Sequence, residues 1–248
     1  MSPDIAPIAI IVLGAFTAAF VAGVAGFGDA IVASAIWLQF LSPVDTVALC
    51  VSAFFVMHVF MLIGMWRQLN FSRLLPFLIA GAIGVPVGAK LLMQVPPEAF
   101  KLGAGIFLIV YAGAMFKLLD MPPLRRGGQG LDIAVGWIGG VLGGFAGLSG
   151  FVPGFWCQQR GWPKAIARGV TQPYIMAMHG MAFGWLMFDG QVSSATADRL
   201  LVALPAIAVG AWIGIRLYRS FNERKFRQTV LAALAGAGVL LVLNPGGQ

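Results

Sequence analysis

The chain has 248 residues, of which 59% are apolar and only 10% charged. That balance puts most of it in lipid and leaves no polar stretch long enough for a separate soluble domain. The formal net charge is +7, yet the basic residues sit at the ends of apolar spans, which reads as membrane topology and excludes a nucleic-acid-binding stripe.

In chain order, Asp4 precedes the first apolar run with no Lys or Arg, unlike a cleaved signal peptide. Residues 8–40 are almost unbroken apolar sequence, interrupted by Gly23-Val24-Ala25-Gly26-Phe27-Gly28-Asp29. As one helix they would run about 50 Å, too long for one ~30 Å crossing and short for two. Ordinary spans are expected at 46–66, 74–93 and 101–119. Residues 131–157 are broken again, at Gly143-Gly144-Phe145-Ala146-Gly147-Leu148-Ser149-Gly150, and spans follow at 166–188, 199–217 and 228–243. Both broken regions read as hairpins of short helices with a glycine-rich tip. Cys50 and Cys157 lie in or beside apolar segments and give neither a disulfide framework nor a metal spacing.

The chain repeats itself. Gly23, Ala25, Gly26 and Met57-His58 recur 121 residues later as Gly144, Ala146, Gly147 and Met178-His179. At an offset of 126, Leu78, Gly84, Gly88 and Leu91 recur as Leu204, Gly210, Gly214 and Leu217. Residues 1–121 form the first repeat, 122–130 a cytoplasmic loop and 131–248 the second repeat of one membrane domain.

The positive-inside rule sets the orientation. With hairpins that return to their own side and a periplasmic N-terminus, 13 of the 16 Lys and Arg residues lie inside, against 10 if each broken region crosses once. A hairpin plus three crossings is odd, so the second half is inverted. The expected fold is an all-α polytopic membrane protein of two inverted repeats, each a broken helical hairpin plus three transmembrane helices, with both termini periplasmic. Inverted repeats with discontinuous helices at the bilayer middle suit an alternating-access transporter.

Non-helical backbone at membrane depth must line protein or a cavity. The second hairpin arms restart near Asp29-Ala30 and Gly150-Phe151, with Pro153 in a first helical turn. Each restart aims free N–H groups and a positive dipole end at its tip, which suits an anion. For Gly14, Gly81, Gly84, Gly210 and Gly214, tight helix packing is the simpler role. His58 and His179 are costly in mid-span; they either face the substrate path, where protonation couples to transport, or sit neutral on backbone carbonyls. Asp29 caps its helix or carries a proton. Thr171-Gln172-Pro173-Tyr174 breaks the helical pattern before His179, and Gln172 offers amide donors. The expected substrate-binding set is Gly26, Gly28, Gly147, Ser149, Gly150, His58, His179 and Gln172. Asp29, His58 and His179 are the proton-coupling candidates, and Arg168 attracts anions from the cytoplasm. No cofactor or metal ion is expected. The partners are a small anion, the lipid bilayer and coupling protons, with no nucleic acid; the oligomeric state stays open.

Through the Gly23-x-x-Gly26-x-Gly28 break, its echo at Gly143-Gly144-x-x-Gly147-x-x-Gly150, and the Gly81-x-x-Gly84-x-x-x-Gly88 span with its copy at Gly210 and Gly214, the chain resembles the sulfite exporter TauE/SafE family, also called the 4-toluene sulfonate uptake permease family. The resemblance implies a bacterial inner-membrane transporter of sulfite, sulfonates or related carboxylate anions, and not an enzyme. It departs from the family's Gly-Gly-Gly run, carrying Gly28-Asp29-Ala30 and Ser149-Gly150-Phe151 there. Two rivals remain: a passive anion channel, and a rhomboid-like intramembrane serine protease that pairs Ser149 of Gly147-Leu148-Ser149-Gly150 with His179.

Overall fold

The computed structural model describes residues 5–118, 128–217 and 223–245, and all regular structure among them is helical. The first five α-helices are α1 (Ile5–Ala25), α2 (Asp29–Trp37), α3 (Pro43–Ile63), α4 (Phe71–Gln94) and α5 (Pro97–Leu118). The next five are α6 (Gln129–Ala146), α7 (Phe151–Gln159), α8 (Lys164–Phe188), α9 (Ser194–Leu217) and α10 (Glu223–Leu243). Most of the loop expected at 122–130 lies outside the described residues, as do residues 1–4, Arg125, Arg126 and Arg219.

Local chemistry sets these boundaries. Ser42 caps α3 by accepting from the Asp45 N–H, with Pro43 preorganised in the first turn. Asn70 does the same for α4 through the Arg73 N–H. The expected breaks fall at 26–28 and 147–150, where Gly26, Gly28 and Gly147 take positive φ values of 87°, 96° and 72° that suit glycine alone.

Both broken regions fold back on themselves. Trp37 at the end of α2 packs against Gly14 in the middle of α1. Trp156 on α7 donates to Asp132 near the start of α6 at 2.7 Å. The arms are unequal, which corrects the expectation of two short helices. α1 has 21 residues and α6 has 18, whereas α2 and α7 have nine each, about 14 Å of helix.

Among the described residues, five helices are long and apolar enough to cross a bilayer: Pro7–Ala25, α3, α4, Pro97–Phe116 of α5, and α9. Of the six ordinary spans expected, α8 and α10 are not among them. α8 has 25 residues but carries Lys164, Arg168, Thr171, Gln172 and His179; the apolar part of α10, Gln228–Leu243, is shorter. α8 also runs unbroken through Pro173, so the break expected at residues 171–174 is absent. Neighbouring helices tolerate such a proline by satisfying the freed backbone.

The main packing pairs are α4 with α6, α1 with α9, α5 with α10 and α3 with α8. Exchanging the first five helices for the second five maps this set onto itself. Three of the pairs meet backbone to backbone, α5 and α10 through Gly105 and Gly238. A methyl group on Gly84, Gly88, Gly140 or Gly144 would run into the opposite backbone of the α4–α6 pair. Gly210 and Gly214 lie against the carbonyls of Phe16 and Phe20 in the α1–α9 pair in the same way. Packing, the simpler role, accounts for these glycines.

α3 and α8 run antiparallel. At one end the Arg73 guanidinium, in the first turn of α4 that follows α3, stacks 4.7 Å over Trp162, just before α8. At the other, Asp45 in the first turn of α3 pairs at 3.5 Å with Arg199, just past α8. Midway along this crossing the two halves place their polar residues.

Candidate functional site

The repeated histidines meet. His58 of α3 and His179 of α8 are fully buried, with ring centroids 5.8 Å apart and planes at 81°. Asp29 at the start of α2, 2% exposed, places Oδ2 3.5 Å from His58 Nδ1. The role expected of Asp29 as a helix cap is not realised: Gly28 is the N-cap residue and no side-chain capping bond forms. Its carboxylate faces an imidazole instead.

Each imidazole also holds a backbone carbonyl. His58 Nδ1 donates to Phe54 O at 2.7 Å, and His179 Nε2 donates to Gly147 O at 2.9 Å. A carbonyl only accepts, so these bonds fix the tautomers and leave lone pairs on His58 Nε2 and His179 Nδ1. Both of those nitrogens are buried without a hydrogen-bond partner, as are Asp29 Oδ2, Ser149 Oγ and Gln172 Oε1. These atoms are open to a ligand, a water or an ion.

The two tips close over this centre by different means. α6 ends in a left-handed turn at Gly147, with Gly147 N–H donating to Gly143 O and Leu148 N–H to Leu142 O. The end of α1 is held from α8, where Gln172 donates to Gly26 O at 2.6 Å and Arg168 to Val24 O at 3.0 Å. These donors lie four residues apart on one helix face and serve carbonyls that a helix end leaves open. Their positional matches in the first half are Val47 and Val51, so α3 has no equivalent clamp. The tips touch: a Cβ on Gly150 would stand 3.7 Å from Phe27, and one on Gly147 would stand 3.8 Å from Ala30.

Neither α2 nor α7 receives a side-chain cap; the first-turn N–H groups of α2 stay open at the tip, whereas in α7 Phe151 N–H donates to Leu148 O and Pro153 has none, leaving Val152 N–H. The space between the tips is about 10 Å³, room for roughly one water at most. A recess of about 290 Å³ lies on one side, bounded by Gly26, Phe27, Gln158, Trp162, Arg168 and Thr171. A second of the same size, bounded by Ile31, Val47, Phe100, Phe145 and Leu148, is almost wholly apolar. Phe27 lines both the first recess and the tip space, and its positional match Leu148 lines both the second recess and the tip space.

Of the expected site residues, Gly28, Gly147 and Gly150 line the tip space, His179 bonds the Gly147 carbonyl and faces His58, and Ser149 is buried against Gly143; Gly26, held by Gln172, lines the polar recess with Arg168. The serine-protease geometry is absent: Ser149 Oγ has no partner, and His179 bonds the Gly147 carbonyl. The pairing of Asp29 with His58, the α8 clamp and the Phe27–Leu148 pair were not foreseen. Only the four-residue spacing of Arg168 and Gln172 carried a signal for any of them.

This is the architecture of a helical multi-pass membrane protein with a buried polar centre between discontinuous helices. The family described as sulfite exporter TauE/SafE matches residues 10–241, and the chain belongs to that family. Membership makes it a membrane transporter rather than an enzyme, with sulfite-type anions as the implied cargo. No curated protein and no solved structure matches the chain.

Proposed function

We propose that the protein is a proton-coupled secondary transporter that moves a small sulfur-containing or organic anion, of the sulfite, sulfonate or carboxylate type, across the bacterial inner membrane. Its two halves, meeting near residues 122–130, are inverted repeats that work by alternating access, with both termini periplasmic. One observation carries the reading: two glycine breaks and two repeated histidines, far apart in sequence, converge on one buried centre at the α3–α8 crossing. The antiparallel run of these matched helices supports inversion, as does the charge bias across the spans.

In this mechanism the anion enters past Arg168, and the N–H groups opening α2, with Val152 N–H of α7, replace its water. Gly26, Gly28, Gly147 and Gly150 let the backbone approach it, while Ser149 and Gln172 supply polar contacts. An ionised Asp29 would repel the anion, so protonation of the Asp29–His58–His179 group accompanies binding. Phe27 and Leu148 act as the two thin gates. A tip space of about 10 Å³ flanked by two larger recesses suits alternating access better than a continuous channel.

The test is uptake of labelled sulfite, a small sulfonate and a small carboxylate into proteoliposomes, with and without a pH gradient. Saturable uptake of at least one anion that rises with the gradient is expected. Uptake that is unsaturable and follows voltage alone would replace the transporter with a channel, and uptake of none of the three would remove the assigned cargo.

A further inference from the structure

Asp29, His58 and His179 each offer an atom to a cluster in which all three atoms lie within 4.8 Å of one another. Each imidazole already gives one N–H to a backbone carbonyl, Phe54 O for His58 and Gly147 O for His179. That is the outer support metal-bound histidines commonly have, since it fixes the tautomer and leaves the other nitrogen's lone pair free. The remaining nitrogens, His58 Nε2 and His179 Nδ1, are buried without partners, as is Asp29 Oδ2. What these three unsatisfied atoms share is the capacity to accept, and none offers a hydrogen to another. Such a group calls for positive charge.

We propose that this triad is a binding site for a borderline divalent cation of the Zn²⁺ class, which occupies it in competition with protons. Two imidazoles and one carboxylate suit such an ion, whereas Na⁺, Mg²⁺ and Ca²⁺ favour all-oxygen surroundings. Around tetrahedral Zn²⁺, ligand atoms stand roughly 3.3–3.5 Å apart, so a cluster whose atoms lie within 4.8 Å of one another must draw in to hold the ion. Three protein ligands leave the fourth position to water or to an anion. Competition with protons follows because each ligand must be deprotonated to bind the metal. The site shares residues with the proposed proton-handling group, but the argument for it rests on the unpaired lone pairs and not on transport.

The test is isothermal titration of ZnCl₂ into the purified, untagged full chain in detergent micelles at several pH values. The chain has two histidines in all, so imidazole binding has no other source. One equivalent is expected, weakening as pH falls. Asp29→Asn, His58→Gln and His179→Gln should each weaken it by about tenfold or more, while Cys157→Ser leaves it unchanged. Melting of each variant confirms that it is folded; where a glutamine variant is not, His58→Asn or His179→Asn takes its place. No binding by the wild-type chain, or equal binding by the three ligand variants, would overturn the proposal. Anion uptake in metal-free vesicles reports separately on transport.

Discussion

Gln172→Met removes the amide that holds Gly26 O at 2.6 Å and keeps nearly the same volume. The carbonyl sits at the end of α1, and Gln172 is 3% exposed, so water does not readily replace the lost donor. An unsatisfied buried carbonyl costs about 1–3 kcal/mol, and hydrogen bonds measured within membranes average somewhat less, so about 1–2 kcal/mol is expected here. For a chain of this length each kcal/mol corresponds to roughly 2–4 °C in melting temperature. The purified variant should therefore melt about 2–8 °C lower. Because the lost bond anchors one tip of the proposed site, uptake at low anion concentration should fall roughly 5- to 30-fold. Melting and proteoliposome uptake, measured on the same preparation, check both effects. A variant that melts and transports like the wild type would refute the claim that α8 clamps the first tip.

Gly88→Val drives a branched side chain into the α6 backbone and should destabilise the fold by at least about 1–3 kcal/mol, seen as a lower melting temperature or loss of monodisperse protein. Arg168→Gln keeps a donor for Val24 O but removes the charge from the polar recess, so the apparent KM for the anion should rise about tenfold at low ionic strength and less at high salt. Phe27→Ala removes a side chain that lines both that recess and the tip space; it should give anion leak that no longer follows the pH gradient, measured as efflux from loaded vesicles.

The parts of this molecule that were legible in the sequence are those decided locally. Gly26, Gly28 and Gly147 sit where the backbone takes positive φ, and the positions of both breaks follow from that requirement. The pairing of His58 with His179 was foreshadowed because a duplicated unit repeats its chemistry at equivalent places. What escaped depends on other elements. Asp29 looked like a helix cap because its position favours one, yet its carboxylate stands 3.5 Å from Nδ1 of His58 on a different helix. Pro173 looked like a break because proline removes a backbone bond, but packing against α3 and α4 keeps α8 continuous. The unequal hairpin arms were hidden because apolar runs record burial in lipid or protein alike, not where a short helix stops.

The central claim is that His58 and His179 serve one transport site formed by both halves. The most direct measurement is sulfite uptake by His58→Ala and His179→Ala in proteoliposomes matched for inserted protein. Both variants should insert normally, and both should lose most of the gradient-driven uptake. If both insert and transport at the wild-type rate, the symmetric site is wrong.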